Sequence, residues 1–243
     1  MQIATRQGPA YGVARLTLGA GEEVKVESGA MMTMSMGVTL ASKAEGGIMK
    51  SLKRAALGGE SFFVSTYTAP ATGGFVDVAA RLPGDISFYN LQQGRALFIQ
   101  KGSWLANERT VNIDAKWGGF KNMFGGEGGF IIRAEGQGQI VYGCYGALEE
   151  WTLDAGQGIT VDTGHMVAYE ETVQMTIRKA SGGGMVQSFK SGEGLVFDFM
   201  GPGKVWTQTR NPSELQSWIQ SFVGTSGGGG GLSVGGLSFG GRD

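Results

Sequence analysis

Forty-five of the 243 residues are glycine, well over twice the usual share, and because glycine weakens helices but suits tight turns, this composition favours a turn-rich β protein. The 20 Lys and Arg residues and the 21 Asp and Glu residues give a formal net charge of −1, which excludes a global field that would steer the chain onto nucleic acid or an anionic membrane. The single cysteine excludes an internal disulfide, and the absence of an apolar run of signal or membrane-span length predicts a cytoplasmic protein that is at most peripheral to a membrane.

The chain repeats itself, and the clearest repeat relates residues 16–34 to residues 151–169. A third copy lies between these two, because Gly94 and Gly102 have the same spacing as the paired glycines of the other copies. We therefore predict one sheet-built domain over residues 1–223, containing three related copies at about residues 16–82, 89–146 and 151–208. The positions that are identical in the first and third copies are Thr17/Thr152, Leu18/Leu153, Ala20/Ala155, Gly21/Gly156, Val26/Val161, Gly29/Gly164 and Met31/Met166.

Residues 10–40 have the period-two pattern of strands that bury one face. Val24 and Val26 alternate with Lys25 and Glu27. A second alternating apolar row consists of Met32, Met34, Met36, Val38 and Leu40. Methionines in such a row either fill a core, where they suit irregular gaps, or bind a soft metal through their thioethers. Since no second type of ligand accompanies the row, we expect a core.

Residues 48–57 predict a short helix that ends at Gly58 as a C-cap. Lys50, Lys53 and Arg54 lie together on one side of this helix. A basic amphipathic helix can lie on a membrane surface, whereas the alternative is a helix or loop that closes the end of the sheet. These three residues are the best candidates for a surface contact in the sequence.

Further strands are predicted through the second and third copies. Cys144 lies in an apolar segment without a basic neighbour, which predicts an inert core thiol rather than a nucleophile. The predicted strands cover residues 62–67, 75–82, 86–91, 96–99, 102–113, 130–132 and 140–148, and alternating positions follow at Ile159, Val161, Val173, Met175 and Ile177.

The pattern changes after residue 210. Asn211 and Pro212 form a typical helix start, and a helix over residues 212–222 is predicted to dock by one apolar face. That face consists of Leu215, Trp218, Ile219 and Phe222. Residues 224–243 are rich in glycine and predict a disordered tail; the alternative is a short partner-binding motif formed by Leu232, Val234, Leu237 and Phe239.

Few side chains in the sequence suit catalysis. His165 is the only histidine, which excludes a histidine-cluster metal site, and it aligns with Ala30 of the first copy, which favours a surface or hydrogen-bonded role. The run from Gly201 to Lys204 lacks the Ser or Thr of a phosphate-binding loop. One glutamate recurs in each copy, either as a turn acceptor, which we favour, or in the lining of a shared site: Glu60, Glu127 and Glu193.

Several motifs resemble those of a known family. The most specific runs from Gly201, Pro202 and Gly203 to Gln208, Thr209 and Arg210. The others are Gly58-Gly59-Glu60-Ser61-Phe62-Phe63, Gly102-Ser103-Trp104-Leu105-Ala106 and Ser191-Gly192-Glu193-Gly194-Leu195. Over about residues 1–220 the chain resembles the mitochondrial biogenesis family of the altered inheritance of mitochondria type.

The resemblance implies a mainly β fold similar to that of the tryptophan RNA-binding attenuator protein class, with stacked antiparallel sheets in a barrel-like or β-prism-like body. It implies no enzyme activity. The mitochondrial relatives are associated with inner-membrane organisation, a role that does not carry over because we find no transit peptide in this sequence. RNA binding does not carry over either, because the sequence has no basic stripe.

We therefore expect a non-enzymatic scaffold or adaptor without cofactor, metal or catalytic residues. It is expected to self-associate into a homo-oligomer, with a trimer among the candidate states, and to contact a protein partner or a membrane surface but no nucleic acid. The alternative is a small-ligand-binding or hydrolytic protein that uses carboxylates in a cavity enclosed by the sheets.

Overall fold

The structure is a computed structural model that describes residues 1–43, 64–114, 131–180 and 194–223, together with two short strands in the glycine-rich tail. The predicted helix at residues 48–57 and its basic side chains lie outside the described residues. The same holds for the three recurring glutamates. The predictions that lie outside the described residues therefore concern Lys50, Lys53, Arg54, Glu60, Glu127 and Glu193.

Strand β1 (Gln2–Arg6) precedes three successive groups of six strands. The first copy contains β2 (Val13–Leu18), β3 (Glu23–Glu27), β4 (Met31–Met34), β5 (Thr39–Lys43), β6 (Val64–Thr68) and β7 (Gly74–Ala79). The second contains β8 (Ile86–Leu91), β9 (Ala96–Gln100), β10 (Trp104–Glu108), β11 (Val111–Asp114), β12 (Ile131–Gly136) and β13 (Gly138–Gly143). The third contains β14 (Leu148–Leu153), β15 (Gly158–Asp162), β16 (Met166–Glu170), β17 (Gln174–Lys179), β18 (Leu195–Met200) and β19 (Gly203–Gln208), with a short 3₁₀ turn at Thr163–His165.

The three copies pair their strands by one rule, which confirms the predicted threefold repeat. Within each copy the sixth strand lies between the first and third strands, and the fifth lies between the second and fourth. The second strand of one copy then pairs with the third strand of the next, as β3 with β10 and β9 with β16. The result is two six-stranded antiparallel sheets between two smaller end sheets, β1-β2-β7-β4 and β15-β18-β17.

The apolar side chains form three cores, one between each pair of successive sheets. The first core joins β2 and β7 to β3, β6, β10 and β13. The second joins the two six-stranded sheets, and the third joins the latter of these to β15 and β18. The stacked antiparallel sheets of the predicted fold are therefore confirmed, and in the described residues no sheet closes on itself into a barrel.

The alternating pattern of the first copy predicts burial correctly for β3 and wrongly for β4. Val24 and Val26 of β3 are fully buried, as predicted. The methionine row does not fill a core, because Met32 is 47% exposed, Met34 39% and Met36 98%. A turn at Gly37, with φ of 87°, divides the row between β4 and β5 in different sheets, and Val38, just after the turn, is the member of the row that is buried in the first core.

A buried carboxylate fixes the outer face of the first end sheet. Asp77 is 1% exposed and accepts hydrogen bonds from Arg15 Nε, Arg6 Nη2 and Thr33 Oγ1, each at 2.8 Å. The Arg15 guanidinium, followed by Arg6 and Thr33, holds the pKa of Asp77 well below its usual range. Arg15 also lies 3.9 Å above the ring of Phe75. This cluster joins all four strands β1, β2, β7 and β4 by side-chain bonds.

The other end sheet carries a similar cluster on its surface. Asp198 accepts from Arg178 Nε at 2.5 Å and from Thr160 Oγ1 at 2.6 Å. Both end sheets therefore bear a carboxylate paired with arginine and threonine. A polar outer face of this kind is what the terminal units of a repeat stack need in water.

The C-terminal helix α1 (Pro212–Phe222) forms where it was predicted, but the predicted docking is wrong. The Asn211 side chain accepts from Ser213 N at 2.9 Å, which confirms the cap. No residue of the helix is buried, and its large apolar side chains point into solvent, because the described residues place no strand against them. This described helix is too short and too polar to cross a membrane. The two strands in the predicted tail, β20 (Ser233–Val234) and β21 (Leu237–Ser238), pair with each other.

Replacement of Asp77 by asparagine is expected to lower the free energy of unfolding by roughly 1–3 kcal/mol near neutral pH, since it weakens a buried charge-assisted network. Folding lowers the pKa of Asp77, so this contribution is present above its unfolded pKa of about 3.9 and is lost as the pH falls below that value. Urea unfolding should therefore show a difference between the wild type and D77N near pH 7 that shrinks near pH 3.

The matched control is Asp154→Asn, because Asp154 is exposed. We expect D154N to unfold like the wild type at both pH values. An equal effect of both substitutions would contradict a special role of the buried carboxylate.

Candidate functional site

The predicted family motif forms one wall of a cavity of about 510 Å³ in the third copy. The cavity lies between β15 on one side and β14 and β19 on the other, and exposed Glu149 and Thr160 lie on its open side. All of its lining residues belong to the third copy and its flanking turns. They are Glu149, Trp151, Ile159, Thr160, Val161, His165, Thr207, Gln208 and Thr209.

Gln208 is the buried centre of this wall. Its side-chain Oε1 accepts from Tyr145 N at 2.8 Å, and its Nε2 donates to Gly164 O at 2.8 Å. Its backbone oxygen lies 2.7 Å from His165 Nδ1. The residue thus ties β19 to the loop before β14 and to the turn after β15, and all of its side-chain polar atoms are used in these bonds.

The residues after Gln208 hold the same junction through their backbone. Thr209 Oγ1 accepts from Ala147 N at 2.9 Å, and Thr209 N donates to Ala147 O at 3.1 Å. Arg210 N donates to Tyr145 O at 3.2 Å, while the side chain of Arg210 is exposed. Gly146 has a φ of 83°, and a Cβ there would collide with Thr209 Oγ1. The loop can approach the motif this closely only because it has a glycine at this position.

The first part of the motif turns the chain between β18 and β19. A Cβ on Gly201 would meet the backbone oxygen of Leu153 at 2.6 Å. Gly203 has a φ of 141°, which an L side chain rarely adopts, and the Gly201-Pro202 peptide is cis. Gly201 and Gly203 therefore allow close packing, and none of Gly201, Pro202 and Gly203 lines the cavity.

His165 has the hydrogen-bonded role that its place in the repeat predicted. It ends the 3₁₀ turn that Asp162 caps by accepting from Gly164 N at 2.9 Å. Trp151 donates from Nε1 to Thr207 Oγ1 at 3.0 Å and is 39% exposed on the cavity wall. Sequence reasoning missed Trp151 and Glu149 as site residues. The available signal was their alignment with buried positions of the first copy.

A second concavity, of about 300 Å³, is lined by a paired polar network. Tyr89 donates to Glu170 Oε1 at 2.9 Å, and Lys204 Nζ and Trp206 Nε1 donate to the two oxygens of Glu150 at 2.5 and 2.9 Å. Burial, with the bond to Glu170, raises the pKa of Tyr89 to about 12. Each of the two carboxylates therefore already accepts hydrogen bonds from neighbouring side chains.

The thiol of Cys144 is inert. Cys144 is 4% exposed, and burial raises the pKa of its thiol to about 11, which confirms the predicted core thiol. Within the part of the chain that the structure describes, no three His, Cys, Asp or Glu side chains gather in a way that would hold a metal ion. The lining of the first cavity combines the apolar side chains of Trp151, Ile159 and Val161 with one carboxylate and three threonine hydroxyls, an arrangement suited to receiving a side chain or a small molecule.

Comparisons with known proteins agree with this fold. The family profile described as Mitochondrial biogenesis AIM24 matches residues 4–210. An uncharacterised protein of Streptococcus pyogenes serotype M6 is 27% identical over 240 residues, which cover 93% of this chain and 92% of that protein. A crystal structure of a Streptococcus pyogenes protein has a TM-score of 0.75 at 24% identity, over 91% of this chain and 99% of that one; this likeness shows the shared fold.

Replacement of Gln208 by leucine is expected to lower the free energy of unfolding by about 1–3 kcal/mol, because it leaves the amide of Tyr145 and the carbonyl of Gly164 without their partner. Urea unfolding followed by tryptophan fluorescence measures this change. Gln174→Leu on β17 is the matched control, since Gln174 is exposed. Equal stabilities of the two variants would contradict the role assigned to Gln208.

Proposed function

This chain belongs to the Mitochondrial biogenesis AIM24 family, and from that premise we propose that it acts as a non-enzymatic scaffold or adaptor that self-associates and presents an apolar helix to a protein partner. The proposal rests mainly on one observation, the exposed apolar face of α1. The open strand edges of the end sheets support the self-association. The motif wall described above supports a structural role for the family residues, since their polar atoms bind the chain itself.

The apolar face of α1 consists of neighbouring side chains. Trp218 is 62% exposed, Ile219 46%, Phe222 45% and Val223 53%. The rings of Trp218 and Phe222 contact each other edge to face, with centroids 4.9 Å apart. Large apolar side chains that are grouped on a surface mark interaction sites, since isolated exposure is ordinary but a contiguous patch is costly in water. Aromatic residues of this kind also dominate the binding energy of protein interfaces.

The charge of α1 favours a protein partner over a lipid surface. Pro212–Phe222 contains Glu214 and no Lys or Arg, so the helix lacks the basic side chains that attract anionic lipid headgroups. A membrane contact, if it forms, is therefore assigned to the basic residues of the 48–57 segment, which stays a prediction. The candidate contact residues there are Lys50, Lys53 and Arg54.

The alternative function, a small-ligand-binding or hydrolytic protein, is favoured by the 510 Å³ cavity, whose volume falls in the range of ligand pockets. Its lining contains Glu149 as the one carboxylate. Hydrolysis by paired carboxylates needs two such groups in different environments. Among the described residues the cavity thus supports binding better than hydrolysis.

The full chain is expected to have a mass in solution of at least twice the 25.5 kDa of one chain. Size-exclusion chromatography with light scattering at micromolar concentration measures this mass directly. A single species of monomer mass across the concentration range would contradict self-association.

Substitution of Trp218 and Phe222 by serine is expected to abolish capture of a specific protein from cells that express the chain, because it removes the two aromatic anchors. The matched control replaces Gln216 and Gln220, which are exposed on the same helix, and should keep the captured protein. Flotation with vesicles of neutral and anionic phospholipids distinguishes the lipid alternative. Flotation that is lost in the Trp218/Phe222 variant would mean that the helix binds membranes, contrary to the proposal.

A further inference from the structure

Two strand pairings of the same kind connect the three copies, and each such pairing is called a joint. The second strand of one copy pairs with the third strand of the next, as β3 with β10 and β9 with β16. By this rule β15 lacks a third strand from a following copy, and β4 lacks a second strand from a preceding copy. Within the described residues neither edge has a partner. Strands β4 and β15 are therefore the two unpaired halves of a third joint.

Each internal joint buries two side chains from the incoming third strand. In the first joint these are Leu105 and Ala106, which belong to the first core. In the second they are Val167 and Ala168, which belong to the second core. The strand registers align these pairs with Met32 and Thr33 of β4. Met32 is 47% exposed, whereas Leu105 is 1% and Val167 0% exposed.

The receiving side of the missing joint is the 510 Å³ cavity. The registers align its residues Trp151, Ile159 and Thr207 with Leu16, Val24 and Val78 of the first copy. Leu16, Val24 and Val78 lie in the first core together with Leu105 and Ala106. The cavity is thus the third-copy counterpart of a space that the next copy covers in the first joint and narrows to the 300 Å³ concavity beside Tyr89 and Tyr142 in the second. Strand β4 contributes nothing to its lining, and among the described residues no strand of the same chain occupies this space.

We propose that β4 of a second copy of this chain pairs with β15, head to tail, and places Met32 in the cavity. The inferred register follows from Ala106 opposite Val26 and Ala168 opposite Ile99. It sets Thr33 of one protomer opposite Val161 of its partner, and Met34 opposite Thr160. The joined sheets β15-β18-β17 and β4-β7-β2 would then form a continuous sheet like the two that the chain already contains. This inference rests on the self-association proposed above and names its surface.

The shape of β4 supports this pairing. Its ladder with β7 has an irregularity between Met31 and Thr33. Strands β10 and β16 have the same irregularity at the aligned positions, between Trp104 and Ala106 and between Met166 and Ala168. In both of those strands the outer edge is occupied by the preceding copy. The edge of β4 also carries no charged residue or proline, the usual protection of an edge strand that stays unpaired.

Both halves of the third joint are more polar than the internal joints. Asp77 occupies the position of Val141 and Trp206, and Glu149 the position of Ala14 and Ser87. Both surfaces are thus stable in water before the joint forms. An interface between separately folded chains requires this, whereas a contact between copies within one chain does not. Arg15, half exposed beside Asp77, also provides a positive charge on the side that meets Glu149.

The other open edges do not indicate a missing partner. In the described residues the first strands β8 and β14 have no partner on their outer side, where β2 pairs with β1, and the fourth strands β5, β11 and β17 have none on their outer side in any copy. An outer edge that is open in both later copies is a regular feature of the repeating unit. The edges of β4 and β15 differ because their counterparts are occupied.

Cross-linking of variants that carry one added cysteine each tests the head-to-tail contact. Met34→Cys and Thr160→Cys are prepared separately in the full chain, where the native Cys144 is buried, and are treated with a short bismaleimide alone and as a mixture. We expect a covalent dimer in the mixture and little with either variant alone. Leu40→Cys on β5 is the matched control, being 51% exposed on an edge that is free in every copy.

Four outcomes would overturn the inference. Equal cross-linking of Leu40→Cys and Met34→Cys with Thr160→Cys would mean random collision. A dimer from Met34→Cys alone would mean a symmetric contact between two β4 strands. Absence of the mixed dimer while light scattering shows an oligomer would overturn this surface and leave the proposed scaffold intact, whereas a monomer mass would overturn both.

A second pair of variants keeps the test independent of the cysteine chemistry. Met32→Lys would put a charge into the cavity and is expected to weaken self-association at least about tenfold, shifting the mass towards 25.5 kDa. Met36→Lys is the control from the same segment, since Met36 is 98% exposed and lies outside the joint. Unchanged association of Met32→Lys, or an equal loss with Met36→Lys, would overturn the placement of Met32.

Discussion

The structure depends on one interaction, the pairing of the second strand of each copy with the third strand of the next. Within one copy the strands form two short half-sheets, and neither half is wide enough to be covered on both faces. The joint turns two half-sheets into one six-stranded sheet that takes part in two cores, as β3-β10 and β9-β16 show. Units this small bury too little surface to be stable alone, so the copies depend on this strand pairing to form shared cores.

The same constraint explains why the two ends of the chain differ from its middle. A stack of repeats must stop, and its terminal faces must tolerate water. The first end sheet meets this requirement with β1 and the Asp77 cluster, and the last with the Asp198 cluster. These polar clusters protect the faces of the end sheets, whereas the edges of β4 and β15 stay open in the described residues. The clusters thus keep the end faces stable in water, and the open edges of β4 and β15 offer a place where a second copy would continue the sheets.

The family motif belongs to this architecture more than to a reaction. Gln208 and Thr209 hold the loop between the second and third copies against β19, and Gly201 allows close packing of the turn before it. The cavity beside the motif lies where, among the described residues, no further copy covers β14 and β15. The family assignment made from the motif is confirmed by the matching profile.

The sequence by itself determined the mainly β class, the threefold repeat, the inert thiol at Cys144 and the capped helix after Asn211. These depend on local signals, namely glycine spacing, alternation, burial of an apolar segment and cap chemistry, which act over a few residues. Only the tertiary structure decided which strands have a neighbour on both sides. Met32 and Leu105 occupy aligned positions in similar strands, yet one is half exposed and the other is buried, because burial depends on whether a following or preceding copy exists. The exposed face of α1 and the cavity beside Trp151 have the same origin: a pattern shows which side of an element is apolar, and only the assembled chain shows whether anything covers it.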